Sequence, residues 1–201
     1  MVKKMKCGVV TLLLLTIVAV MVSGCPFGST PLDEISDHLM SATDALEELN
    51  LIEGKTNPFT LDDQIYMIDQ IFLEMGVISE EDVKEIARYN AYYTWTEALR
   101  SASQIVKDDF QSYRGHITKA DQYYTTFNYV GLKQELNLAE AKLNEMSGKA
   151  FSAASSLDQI TESDISSQEL AELRRTKTAI MNLYYQCTEL KNNLKEKAQI
   201  R

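Results

Sequence analysis

An all-α fold follows from three features of the sequence. Apolar residues recur at steps of three and four nearly everywhere, few stretches alternate as strands do, and two of the only three prolines, Pro26 and Pro31, precede the first periodic run. Glycines and polar clusters divide that periodicity into a bundle of about five helices. An N-terminal helical hairpin over about 31–76 is expected to pack on long antiparallel helices over about 79–201, the whole forming one domain from residue 31 onward.

The first helix has Thr30 as a cap, Pro31 in the first helical position and Asp33 to complete a box-like signal. Leu32, Ile35, Leu39, Ala42, Leu46 and Leu49 alternate in threes and fours, a coiled-coil-like seam that Gly54 is expected to end. The second opens at Thr60, carries Leu61, Ile65, Ile68, Phe72 and Met75, and closes at Gly76. Ser79-Glu80-Glu81-Asp82 caps the third, expected to reach about Tyr113 with Gly115 beyond. Ala87, Ala91, Trp95, Ala98, Ala102, Ile105 and Tyr113 share one face of it, so a neighbour can approach closely around a single tryptophan.

A fourth helical stretch is expected from Ile117 to about Ile160, but its apolar direction does not hold. Ile117, Ala120, Tyr124 and Phe127 point one way; Leu132, Leu136, Leu143 and Met146 point roughly a quarter turn away, more than supercoil drift allows. The spacing therefore predicts a break between Tyr129 and Leu132, at Gly131. The last helix follows a polar linker, with Ser166 and Glu169 as its cap. Leu170, Leu173, Ile180, Tyr184, Cys187, Leu194 and Ala198 form a heptad that Lys177 interrupts.

The N-terminus is not part of that pattern. Lys3, Lys4 and Lys6 precede an uncharged run of 16 residues, Cys7 to Val22, the length of a secretion signal and short for a membrane span. Val22-Ser23-Gly24-Cys25 follows, and this segment resembles the lipobox of bacterial-type lipoproteins. The resemblance covers about 25 residues. It implies cleavage after residue 24, a diacylglyceryl group on the Cys25 thiol, and residues 25–30 as a lipid-anchored tether. It also implies an exported domain held on the cell membrane or outer membrane, since two acyl chains anchor stably where one does not.

Loss of Lys3, Lys4 and Lys6 with the leader takes the net charge from −9 to −12. A surface so acidic does not suit nucleic acid. Between Pro26 and Gly54 stand seven acids and no Lys or Arg, a stretch that an anionic bilayer repels. With Cys7 removed and Cys25 lipidated, Cys187 is alone and forms no internal disulfide. His38 and His116 have no metal-spaced partner, and no glycine-rich phosphate loop or serine nucleophile motif occurs. The sequence thus implies no cofactor, no metal, no catalytic residue and no enzyme.

Ten tyrosines are the most informative group. Tyr89 and Tyr93 lie opposite the alanine–tryptophan face of the third helix, on a stripe shared with Thr96, Arg100 and Lys107. Tyrosine beside arginine is typical of protein interfaces, which makes Tyr89, Tyr93 and Arg100 a candidate surface for a protein partner in the envelope. The competing expectation is that the N-terminal hairpin docks over this stripe. Two functions remain open: a lipid-anchored protein-interaction module, or a sensor holding a small ligand between tyrosine-lined helices. A filled core with exposed aromatics favours the first, and an internal tyrosine-lined cavity the second.

Overall fold

A computed structural model describes residues 30–75 and 83–200, with side chains as far as 196. The leader, Cys25 and the tether up to residue 29 therefore lie outside the described residues, as do the Gly76 and Ser79 caps. Helices α1 (Pro31–Glu47), α2 (Phe59–Met75), α3 (Val83–Gln104), α4 (Phe110–Thr125), α5 (Tyr129–Ser156) and α6 (Ser167–Ile200) make up the fold. A π-helical turn, Ile105–Asp109, joins α3 to α4 without interruption, so the six helices form five helical rods. The fold is an all-α bundle, with no strand among the described residues beyond a lone Asn50–Lys55 bridge.

The α1 seam is buried along its whole length, from Leu32 to Leu49. The helix itself ends at Glu47, earlier than Gly54. The Asn50 side chain accepts the amides of Ile52 and Glu53, each at 3.0 Å, and so offers the backbone an alternative to the next helical turn. Asn50 and Lys55 then exchange two 2.9 Å backbone bonds around Gly54, whose φ of +73° glycine adopts freely. The second helix starts at Phe59, one residue before Thr60, because the Asn57 side chain takes the Phe59 amide at 3.2 Å.

Two boundaries in the long helices differ from expectation. Gly115 does not end the third rod; it lies exposed within α4, while Tyr113 and Ala120 on the opposite side are held in the core. The π turn just before it holds Ile105, Val106 and Asp109 inward. The break expected at Gly131 sits at residues 126–128 instead, and it is a full reversal between α4 and α5. Thr126 caps α4, Phe127 takes a left-handed φ of 56°, and the Asn128 side chain caps α5 by accepting the Gly131 amide at 3.0 Å. Gly131 is needed for space. A Cβ there would lie 2.9 Å from the Tyr123 ring.

α1 packs on α2, α3 and α6, while α5 packs on both α4 and α6. Trp95, fully buried, donates from Nε1 to Thr176 Oγ1 at 2.9 Å, and Thr43 Oγ1 meets the same oxygen at 2.6 Å. These three side chains tie α3, α6 and α1 at mid-height. Among the described residues every buried side-chain polar atom has a hydrogen-bond partner.

Opposite effects are expected at the α4–α5 reversal. Phe127→Gly, which relieves a left-handed conformation at an exposed side chain, should stabilise by roughly 0.5–1 kcal/mol. Gly131→Ala, which forces the Tyr123 ring aside, should destabilise by roughly 1–3 kcal/mol. Thermal unfolding followed by circular dichroism reads both; equal melting temperatures for the two variants would contradict this account of the turn.

Candidate functional site

The stripe that carries Tyr89, Tyr93 and Arg100 is the surface on which α2 docks. Phe72 of α2 meets the Tyr89 ring edge-on at 4.9 Å and the Tyr93 ring at 6.0 Å. Arg100 holds both oxygens of Asp69 at 2.8 and 3.0 Å, Lys107 reaches Asp62 at 2.9 Å, and Thr96 is buried. Tyr89 is half-buried under this contact. Tyr93 stays 53% exposed at its edge.

Docking turns another face outward. Phe59, Tyr66 and Leu73 are 71, 58 and 75% exposed. Their seven-residue spacing places them within about 40° of one another on α2, along about 21 Å of axis. They lie opposite the buried Leu61, Ile65 and Ile68. Asp63 and Glu74 flank this stripe on the side away from α3, exposed, with no ion pair among the described residues. Sequence reasoning missed the stripe although its signal is present: three large apolar residues at heptad spacing on the polar side of an amphipathic helix.

Charge follows the same division. Residues Pro31–Met75 hold eleven acids and one lysine, whereas residues 83–201 hold sixteen bases and fifteen acids. The acids on the inner flanks of the hairpin pair with bundle cations: Asp33 with Arg88 at 2.9 Å, Asp44 and Glu47 with Arg175 at 2.8 and 2.6 Å, besides Asp62 and Asp69. Glu53 pairs with Lys55 at 2.8 Å, while Asp63 and Glu74 are exposed.

Deeper in the molecule, Glu169 joins three helices. Its Oε1 accepts from Ser36 Oγ at 3.0 Å, from Arg88 Nη2 at 2.9 Å and from the Tyr92 hydroxyl. Its Oε2 accepts the Ser166 amide at 2.7 Å, and the Glu169 amide donates to Ser166 Oγ at 3.3 Å, the expected capping box of α6. Burial alone would push this carboxyl up, but the donors Tyr92, Ser166 and Arg88 outweigh it and pull it down to about 2. Burial and the bond to Glu169 raise the Tyr92 hydroxyl well above its usual range. Arg88, despite burial, is held more firmly protonated by Glu169 and Asp33. Glu169 and Tyr92 are buried, and Ser36, Arg88 and Tyr92 all turn a donor toward the one carboxylate oxygen. The arrangement is a structural clamp.

The remaining reactive groups are also engaged in packing. Buried Asp109, in the π turn, pairs with Lys142 at 3.2 Å and Lys149 at 2.8 Å. Burial pushes the Cys187 thiol up to about 12, which leaves no thiolate at neutral pH. Both histidines are half-buried: His38 Nδ1 lies 2.7 Å from Gln64 Oε1, and His116 Nδ1 lies 2.7 Å from Glu135 Oε2. Lys177 leans out of the α6 heptad to Asp158. Among the described residues no three His, Cys, Asp or Glu side chains are placed to hold a metal ion, and no helix is long and apolar enough to cross a membrane.

An open groove of about 940 Å³ runs between the α1–α2 loop and the π turn, lined in part by Leu49, Lys55, Pro58, Phe59 and Lys107. It contains no tyrosine. Comparison with family models, with curated proteins and with solved structures gives no match.

Two outcomes follow. Because the folded carboxyl of Glu169 titrates below its unfolded value of about 4.3, its contribution is complete above about pH 5 and is lost as pH falls toward 2. Glu169→Gln should cost about 3 kcal/mol at pH 7 and flatten that part of the acid limb in denaturant titrations. An unchanged acid limb would remove Glu169 from the account. Cys187 should resist iodoacetamide in the native protein at pH 8 and react fully in guanidinium, as read by mass spectrometry; alkylation of the folded chain would contradict its burial.

Proposed function

We propose that this protein is an exported lipoprotein, anchored through Cys25, whose helical bundle binds another protein of the cell envelope and performs no chemistry. The observation that carries this reading is the division of its aromatic residues. Tyr92 and Trp95 fill a core whose polar side chains are all partnered, while Phe59, Tyr66, Tyr93 and Tyr185 lie on the surface. A soluble domain gains nothing by exposing such rings, and they are the residues that dominate binding energy at interfaces.

The same division speaks against a ligand held between tyrosine-lined helices. Tyr92 spends its hydroxyl on Glu169, Tyr113 is packed against Phe110 with ring centroids 5.7 Å apart, and the 940 Å³ groove has no tyrosine in its lining. The acidic surface suits neither nucleic acid nor the face of an anionic bilayer, which leaves the lipid on Cys25 as the contact with membrane.

Two measurements test the two halves of the proposal. A fatty-acid analogue fed to cells should label the wild type and not Cys25→Ser, which should also keep its leader; equal labelling would remove the lipoprotein. The wild-type protein, cross-linked in intact cells and purified from solubilised membranes, should migrate in a discrete complex larger than itself. Recovery as free monomer alone would remove the interaction module.

A further inference from the structure

We propose that the outer face of α2 is the docking surface, and that its partner is a cationic amphipathic segment of another protein. The proposal rests on the interaction-module reading and deepens it by naming the surface and the partner's chemistry. Phe59, Tyr66 and Leu73 present a narrow apolar stripe at heptad spacing, the pattern by which one helix receives another. The stripe is part of a hairpin with eleven acids and one lysine, of which Asp63 and Glu74 line the outward flank unpaired among the described residues.

Charge decides between occupants. A second copy of α2 would bring Asp63 and Glu74 against Asp63 and Glu74, with no base in the helix to offset them. A bilayer bearing anionic lipid is repelled in the same way. The balanced bundle beneath shows how this hairpin is satisfied: its inner acids are already matched by Arg88, Arg100, Lys107 and Arg175, all supplied by another part of the chain. A partner that places Lys or Arg against Asp63 and Glu74 and apolar residues on the stripe repeats on the outer side what α3 and α6 do on the inner. Electrostatic complementarity of this kind sets partner choice and association rate more than affinity, so binding should weaken as salt rises.

The test uses the full chain, first in cells and then in nanodiscs of zwitterionic phosphatidylcholine. A photo-cross-linking residue at Tyr66, at Phe127 or at Tyr185 reports what each surface meets in the envelope. A Tyr66 adduct to a different protein, competed by a synthetic leucine–lysine amphipathic peptide but not by its leucine–glutamate counterpart, is the expected result. In nanodiscs, with empty discs as blank, the leucine–lysine peptide should bind, and binding should fall at least tenfold in the Phe59→Ser/Tyr66→Ser/Leu73→Ser variant. It should fall similarly in Asp63→Lys/Glu74→Lys, whose charge reversals leave the apolar stripe intact, and remain unchanged in Phe151→Ser/Tyr185→Ser, which alters exposed rings on α5 and α6. Helicity by circular dichroism should be the same in all. A Tyr66 adduct to a second copy of the chain, or equal binding of the two peptides, overturns the proposal. Adducts at Phe127 or Tyr185 but not Tyr66 overturn it while leaving the interaction module standing. Adducts at none of the three remove both.

Discussion

The carboxylate of Glu169 sets the register of the bundle. It lies in the first turn of α6, where its bond to the Ser166 amide caps the start of that helix, and in the same position it accepts from Ser36 of α1 and from Arg88 and Tyr92 of α3. Three helix starts are thereby fixed at one level, and Arg88 extends the link to Asp33. Apolar seams alone tolerate sliding by a turn, because leucine, isoleucine and alanine pack nearly as well one step along. A buried anion does not: displaced by one turn it loses its donors and keeps its desolvation cost. The Trp95–Thr176–Thr43 contact at mid-height repeats the same logic with neutral groups.

From that register the remaining order follows. With the starts of α1, α3 and α6 aligned, α2 has one place to run back, along the side of α3 that carries Tyr89 and Arg100. Its inner acids meet Arg100 and Lys107 there. Each of these part-exposed pairs contributes little to stability, of the order of 0–1 kcal/mol; burial of Leu61, Ile65, Ile68 and Ile71 sets which side of α2 faces inward, and the pairs match that side to α3. The outward side is thereby defined too, and Phe59, Tyr66 and Leu73 are left largely exposed. The exposed stripe lies opposite the face that the buried aliphatic residues and the ion pairs hold inward.

Several titratable side chains are held in packing by similar means. Asp109, Lys142 and Lys149 close the π turn against α5, and Cys187 is a small apolar group in the α6 seam. Each would attract notice as an isolated reactive residue. In the fold, Asp109 is held by Lys142 and Lys149 of α5, which also share Glu145 of their own helix, and the Cys187 thiol is buried.

The sequence by itself determined the all-α class, the α1 and α6 seams, and the capping box of Ser166 and Glu169, because these depend on residues within one or two helical turns of each other. It also held the charge difference between the hairpin and the long helices. It misplaced the end of α1, where the Asn50 side chain competes with the helix, and the end of the third rod, because glycine weakens a helix but contacts on the other face of α4 carry it through Gly115. The π turn was not legible, since one extra residue per turn leaves no mark on composition. Only the tertiary structure decided that Glu169 reaches past its own cap to Arg88 and Tyr92, and that Tyr89 lies under Phe72 while Tyr66 faces out. A helix with apolar residues on two sides shows both in its sequence; which side is covered depends on the neighbour, through apolar burial and ion pairs between residues about thirty to fifty positions apart.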